Sequence, residues 1–99
     1  MAVRVLIKRR LKKGISNDVL ALLNKLRSGA MNREGYVTGE SLLGMDDPRK
    51  LLVISTWQDM DSWDSWKGDP SRIENEGELE KYLEGPTEYE AYALGMYRH

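Results

Sequence analysis

The sequence contains no cysteine, no phenylalanine and a single histidine, His99, among its 99 residues. Without cysteine the chain forms no disulfide, no thiolate metal site and no cysteine nucleophile. One histidine also makes a histidine metal cluster or a Ser-His-Asp triad implausible. We therefore expect neither a metal site nor a bound cofactor.

Long hydrophobic runs are also missing. No 18 apolar residues follow one another, and Arg4 and Lys8 interrupt the apolar N-terminal stretch. These features predict no membrane-spanning segment and no secretion signal. We expect a cytoplasmic location and, at this length, one domain over residues 1–99.

Charge is balanced in total but not along the chain. Fifteen Lys and Arg oppose 16 Asp and Glu, yet residues 1–33 hold nine basic residues and one acid, Asp18. The basic run over residues 8–13 would suit a polyanion, but no aromatic residue interleaves it. We expect the basic segment to face the acidic remainder within the fold, and we expect no nucleic-acid partner.

Apolar periodicity predicts the first half of the fold. Alternation of Val3, Val5 and Ile7 is typical of a strand. After a capping Ser16 or Asn17, apolar residues recur three and four positions apart, which is typical of an amphipathic helix. Ser28-Gly29 suggests the end of that helix. The predicted elements are a strand over 2–10, a helix over 17–30, and a hairpin of strands 35–44 and 50–57.

The second half contains two short helices and a strand. Asp59 can cap a helix that carries Trp63 and Trp66, and Gly68 interrupts it. Asp69-Pro70 then starts another helix, since proline favours the first helical position. Gly77 is expected to kink or shorten this helix, and Gly85-Pro86 is expected to end it. Residues 89–97 alternate as the last strand.

The order β-α-β-β-α-β predicts an α+β, ferredoxin-like fold with a four-stranded antiparallel sheet and helices on one face. The first strand then lies beside the last, so that Arg4, Lys8 and Arg10 meet Glu88 and Glu90.

The sheet has a second face, which the helices leave open. We expect Val3, Val5, Ile7 and the third strand to offer apolar side chains to both faces. An exposed apolar patch usually marks an interface, so the sequence predicts a homodimer with the two sheets face to face.

All three tryptophans, Trp57, Trp63 and Trp66, lie within ten positions. Large aromatic residues with one polar group suit a pocket for a small aromatic molecule, but they equally suit the core of a small protein. Several residues could act as acids or bases, but none of them occurs in the spacing of a known catalytic motif. Each is more ordinarily a surface residue or one whose hydrogen bonds are satisfied within the fold. These candidates are Tyr36, Arg72, Glu76, Tyr89 and Tyr92.

The run from Leu51 to Trp66, followed by Asp69-Pro70, resembles antibiotic biosynthesis monooxygenase (ABM) domains. Those domains have an apolar strand that ends in tryptophan, a capped helix with an aromatic residue and a tryptophan, and a Ser/Asp-Pro helix start. The resemblance implies a dimeric α+β barrel with a pocket between sheet and helices. It also implies a cofactor-independent monooxygenase that acts on an aromatic or quinol-type molecule.

By position, Trp66 matches the tryptophan of the resembled family. The resemblance identifies no residue as the proton acceptor. The expected catalytic residues are Trp66, Tyr36 and Tyr92. The expected substrate-binding residues are Trp63, Trp57, Tyr89 and Arg72.

A second branch of the resembled family degrades haem with an Asn on the first strand, a His on the second helix and the same tryptophan. Here Ile7 and Glu76 occupy the first two positions, so two of the three residues are missing and the sequence argues against haem degradation. Axial ligation of haem by His99 or a tyrosine stays open. Two other classes remain: a non-catalytic dimeric module that binds a small ligand, and an RNA-recognition domain. The third strand lacks the basic, glycine and aromatic pattern of the latter.

Overall fold

A computed structural model describes residues 1–95 of the chain. The elements in this part are β1 (Val3–Arg10), α1 (Asn17–Met31), β2 (Tyr36–Leu43), β3 (Lys50–Trp57), α2 (Met60–Lys67), α3 (Pro70–Glu80) and β4 (Glu88–Ala93). None of the helices in residues 1–95 has the length and apolar character needed to cross a membrane.

The four strands form one antiparallel sheet in the order β2-β3-β1-β4, with the three helices packed on one face. This arrangement confirms the predicted α+β, ferredoxin-like fold and the position of β1 beside β4. The predicted last strand reached Tyr97, whereas β4 ends at Ala93, and residues 96–97 lie outside the described part.

Each helix begins where a capping side chain accepts a hydrogen bond from a backbone amide. Ser16 Oγ accepts from Val19 N at 3.2 Å, and Asp59 Oδ1 accepts from Ser62 N at 2.8 Å. Asp69 Oδ1 accepts from the Ser71 amide at 2.9 Å. These bonds satisfy amides that a helix start leaves unpaired, so the three helices begin where the sequence predicts.

The helix α3 is short, because it ends before the predicted Gly85-Pro86 stop, but Gly77 is not where it ends. The helix continues to Glu80, and nothing lies within 4 Å of where a Cβ at Gly77 would be. The helical turns on both sides of Gly77 and the packing of Leu79, which is fully buried, stabilise the helix by more than the weak helix propensity of one glycine destabilises it.

The distribution of apolar residues between the sheet faces also differs from the prediction. Val3, Val5 and Ile7 all lie on the helix-covered face, buried with Trp63 and Trp66. They contribute nothing to the other face because side chains alternate along a strand. The open face has a smaller apolar centre, formed by the cross-strand pairs Leu6–Ile54 and Leu42–Leu52.

Charged side chains surround that centre. Lys8 Nζ lies 3.1 Å from Glu90 Oε1, as predicted. Arg10 instead pairs with Asp47 at 2.7 Å, and Arg4 Nε donates to Thr56 Oγ1 at 3.4 Å. The predicted pairing of the basic strand with the acidic strand is therefore correct for Lys8 and wrong for the two arginines.

Candidate functional site

A small cavity lies between the helix-covered face of the sheet and the helices. Its volume is about 60 Å³. Leu23, Leu26 and Ala30 of α1 form one wall, and the sheet forms the opposite wall. Its lining also includes a set of aromatic and charged side chains, namely Tyr36, Trp57, Trp63, Trp66, Arg9, Arg72 and Glu76.

Four aromatic rings form a continuous row beside the cavity. Tyr36 meets Trp57 edge to face at 5.4 Å between ring centroids, and Trp57 meets Trp63 at 5.9 Å. Trp63 in turn meets Tyr89 at 5.9 Å. Trp57 is fully buried and its Nε1 donates to Ser55 Oγ at 3.1 Å. The two interpretations of the tryptophans are thus compatible, because the same rings form the core and line the cavity.

Trp66 occupies its position because α1 has a glycine opposite it. A Cβ at Gly29 would lie 2.5 Å from Trp66 Cη2, which is too close for any real side chain. The Arg33 guanidinium lies 5.8 Å from the indole centroid, in cation–π geometry, and pairs with Asp69 at 3.1 Å. Gly29 therefore does not terminate the helix as predicted, since α1 runs on to Met31; it makes room for the indole.

A buried charge cluster closes the cavity on its other side. Arg9 Nη2 and Arg72 Nη2 lie 2.6 Å and 2.9 Å from the same oxygen, Glu76 Oε2. Arg72 also donates to Tyr89 Oη at 2.9 Å, and its guanidinium lies 5.4 Å from the Trp63 centroid. Arg9 and Arg72 are only 6% and 4% exposed, so the cluster is nearly dry.

The structure brings together most of the residues that the sequence singles out. Trp66, Tyr36, Trp63, Trp57 and Arg72 all line the cavity.

The two remaining tyrosines differ in position. Tyr89 adjoins the cavity through its contacts with Trp63 and Arg72. Tyr92 lies apart from it, on the open face of the sheet, where it is 53% exposed and its hydroxyl donates to Glu90 at 3.1 Å. Alternation along β4 sends Tyr89 and Tyr92 to opposite faces because three positions separate them.

Arg9 is the site residue that the sequence interpretation missed. It continues the series Val3, Val5, Ile7, so strand alternation places it on the helix-covered face. A basic residue at the end of an apolar face was the available signal for a buried, paired charge. Glu76 was among the candidates, and Arg72 lies one helical turn before it, but its second partner, Arg9, is distant in sequence.

Two positions bear on the haem question. Ile7 and Glu76 both line the cavity, so the positions matched to the haem-degrading residues do converge there with other side chains. Among residues 1–95, no three His, Cys, Asp or Glu side chains gather as a metal site would require. His99 lies outside the described residues.

The chain thus presents a small α+β unit with an aromatic, positively charged cavity between sheet and helices. The sequence model of the antibiotic biosynthesis monooxygenase family matches residues 2–72, and the chain belongs to this family. Membership in this family supports a monooxygenase-like function. Among curated protein sequences, none matches this chain significantly.

Solved structures share the fold at low sequence identity. A conserved protein from Methanosarcina mazei is 23% identical over 93% of this chain and 91% of its own, with a TM-score of 0.85. SnoaB, a cofactor-independent oxygenase from Streptomyces nogalater, is 14% identical over 97% and 95%, with a TM-score of 0.84. A protein from Shewanella oneidensis is 16% identical over 92% and 88%, with a TM-score of 0.80. These similarities establish the fold.

Proposed function

We propose that this protein is a cofactor-independent oxygenase that converts an electron-rich phenol or quinol into a quinone. The observation that carries the proposal is the cavity itself, in which Trp63 and Trp66 meet a buried cationic cluster. A planar ring suits the indoles, and its ionised hydroxyl suits the guanidinium groups.

The reaction needs little from the protein. An ionised phenol passes one electron to dioxygen, the resulting pair of radicals combines at a ring carbon, and loss of water leaves a carbonyl there. Overall, one phenol and one dioxygen give one quinone and one water. A quinol already carries both oxygens, so it passes two electrons and two protons to dioxygen, and one quinol and one dioxygen give one quinone and one hydrogen peroxide. The protein's task is to favour the anion, hold the ring and exclude bulk water.

We assign roles by position in the cavity. Trp63 and Trp66 would hold the ring, and Arg9 and Arg72 would stabilise the anion. Tyr36 would supply a hydroxyl from the sheet side, where Gly39 leaves it space. We leave Tyr92 out of this proposal because it lies on the opposite face.

The cavity must widen to take such a substrate. Its volume of about 60 Å³ compares with roughly 150 Å³ for a cavity that holds benzene. Since one wall consists of the apolar side chains of α1, we propose that this helix moves outward when the ring enters.

Oxygen uptake tests the proposal. We would supply 1-naphthol, 1,4-dihydroxynaphthalene and anthrone, and subtract the uncatalysed rate for each. We expect uptake above background that Trp66→Ala lowers by at least about tenfold, a typical loss when substrate positioning is disturbed. The matched control is Tyr92→Phe on the open face, which should retain the rate. Uptake at background for all three compounds, or an equal effect of both variants, would contradict the proposal.

A specific observation favours one alternative, a non-catalytic module that binds a small aromatic ligand. Glu76 is the buried carboxylate of the cavity, and two guanidinium groups already engage it. It is therefore poorly placed to accept a proton from a substrate. Quenching of tryptophan fluorescence by the same compounds, without oxygen uptake, would support this alternative.

We also propose that a second copy of the chain covers the open face of the sheet. Its apolar centre, the Leu6–Ile54 and Leu42–Leu52 pairs, is flanked by both signs of charge, which suits a self-complementary two-fold interface. Sedimentation equilibrium should give twice the chain mass of 11.4 kDa. A single species at the chain mass would refute the dimer.

A further inference from the structure

One donor in the charge cluster has no partner. Among residues 1–95, Arg9 Nε is the buried side-chain polar atom that lacks a hydrogen bond. The Arg9 side chain is only 3% exposed, so bulk water does not serve this group. Native proteins satisfy nearly all buried polar groups, and an exception calls for an explanation such as a bound molecule.

The cluster also carries an excess of positive charge. Arg9 and Arg72 share the single carboxylate of Glu76, and the other partners of Arg72 are neutral, namely Tyr89 Oη and Lys67 O. The remaining charged side chains of the lining, Arg27 and Glu40, are exposed and opposite in sign. The buried part of the cavity therefore holds one uncompensated positive charge.

A trapped water molecule would satisfy the Arg9 N–H but would leave that charge unbalanced. A buried charge is stable when an opposite charge accompanies it. An anionic oxygen would meet both needs at once, because a charge-assisted hydrogen bond is stronger than one to water.

We propose that Arg9 Nε is an anion subsite, and that the cavity selects ligands with one negative oxygen, a carboxylate or an ionised phenol, over neutral ligands of the same shape. The subsite deepens the proposed function, on which it rests for the aromatic part of the ligand. It names the charge of the substrate and a residue that determines this specificity.

Binding without dioxygen tests the subsite separately from turnover. Calorimetry under nitrogen at pH 7.5 would compare 2-naphthoate with its neutral analogue 2-naphthamide. 4-Nitro-1-naphthol, which is ionised at that pH, serves as the phenolate arm, and acetate serves as the anion without a ring. We expect 2-naphthoate to bind at least about tenfold more tightly than 2-naphthamide, because the anion forms a charge-assisted hydrogen bond with the guanidinium and the neutral amide oxygen forms a weaker one.

Substitutions at Arg9 test whether this residue causes the preference for anionic ligands. Arg9→Gln should abolish the preference for the anion, and Arg9→Lys, which lacks the planar Nε–H, should reduce it. The matched control is Arg4→Gln, which removes the same charge from the same strand but from the exposed, opposite face. It should retain the wild-type preference.

A second measurement does not depend on any variant folding. In ¹⁵N-resolved NMR spectra of the wild-type protein, the Nε–H resonance of Arg9 should shift further at saturation with 2-naphthoate or acetate than with 2-naphthamide. Equal affinities for 2-naphthoate and 2-naphthamide, an unmoved Arg9 resonance, or equal effects of Arg9→Gln and Arg4→Gln would each overturn the subsite. Anion binding without oxygen uptake would overturn the proposed oxygenase and leave the subsite standing.

Discussion

Two glycines in helices allow a matched test of how Trp66 is held. Gly29 in α1 faces the indole, and a Cβ there would lie 2.5 Å from Trp66 Cη2. Gly77 in α3 faces open space, with nothing within 4 Å of where a Cβ would lie. Substitution by alanine therefore places the same methyl group against the Trp66 ring at Gly29 and in open space at Gly77.

The expected effects have opposite signs. Alanine is favoured over glycine in a helix by about 1 kcal/mol, so Gly77→Ala should stabilise the fold by nearly that amount. Gly29→Ala gains less of this benefit because it lies in the last turn of α1. It also incurs an overpacking cost of about 1–3 kcal/mol. Taken together, these effects make Gly77→Ala the more stable variant by about 1–4 kcal/mol.

Urea unfolding followed by tryptophan fluorescence measures both variants. With a denaturant dependence near 1 kcal/mol per molar urea, the two midpoints should differ by about 1 M or more. Gly29→Ala should also change the native emission spectrum, because the Trp66 indole is displaced, whereas Gly77→Ala should not. Equal stabilisation by both substitutions, with unchanged emission, would refute the close packing of Gly29 against Trp66.

Three further predictions follow from the charges and the open face. Glu76→Gln should lower the free energy of unfolding by about 3–5 kcal/mol in urea, since it leaves two buried guanidinium groups without a counter-ion, and Glu90→Gln at the exposed Lys8 pair should change it far less. The hydrogen bond from the Ser62 amide holds the pKa of Asp59 below its usual 3.8. This cap therefore adds stability above pH 3.8 that is lost as the pH falls through the folded-state pKa. Acid unfolding followed by circular dichroism should show a smaller loss of stability over this pH range in Asp59→Asn than in the wild-type protein. Ile54→Asp, on the open face, should convert the dimer to a monomer in sedimentation, and an unchanged mass would place the contact elsewhere.

Much of the fold could be predicted from the sequence because its signals are local. The apolar alternation of β1 and the capping residues Ser16, Asp59 and Asp69 set most element boundaries to within about two residues. The exceptions are α3 and β4, which stop before their predicted ends at Gly85-Pro86 and Tyr97. The tryptophan pattern of α2 pointed to residues that line the cavity, although the same pattern suited a protein core equally well.

The rest depends on contacts between distant segments. The pairing of Arg9 with Glu76 joins residues 67 positions apart, and no local pattern encodes it. The role of Gly29 depends on Trp66 in another helix, so its propensity alone suggested a helix end. Tyr92 was assigned to the site by residue type, although alternation from Tyr89 already placed it on the other face.

The most direct test of the central claim is a crystal structure of the protein with 2-naphthoate at saturating concentration. We predict that the naphthalene ring lies between α1 and the sheet against Trp63 and Trp66, with its carboxylate within hydrogen-bond distance of Arg9 Nε. A ring bound on the open face of the sheet, or an unchanged cavity without ligand, would contradict the claim.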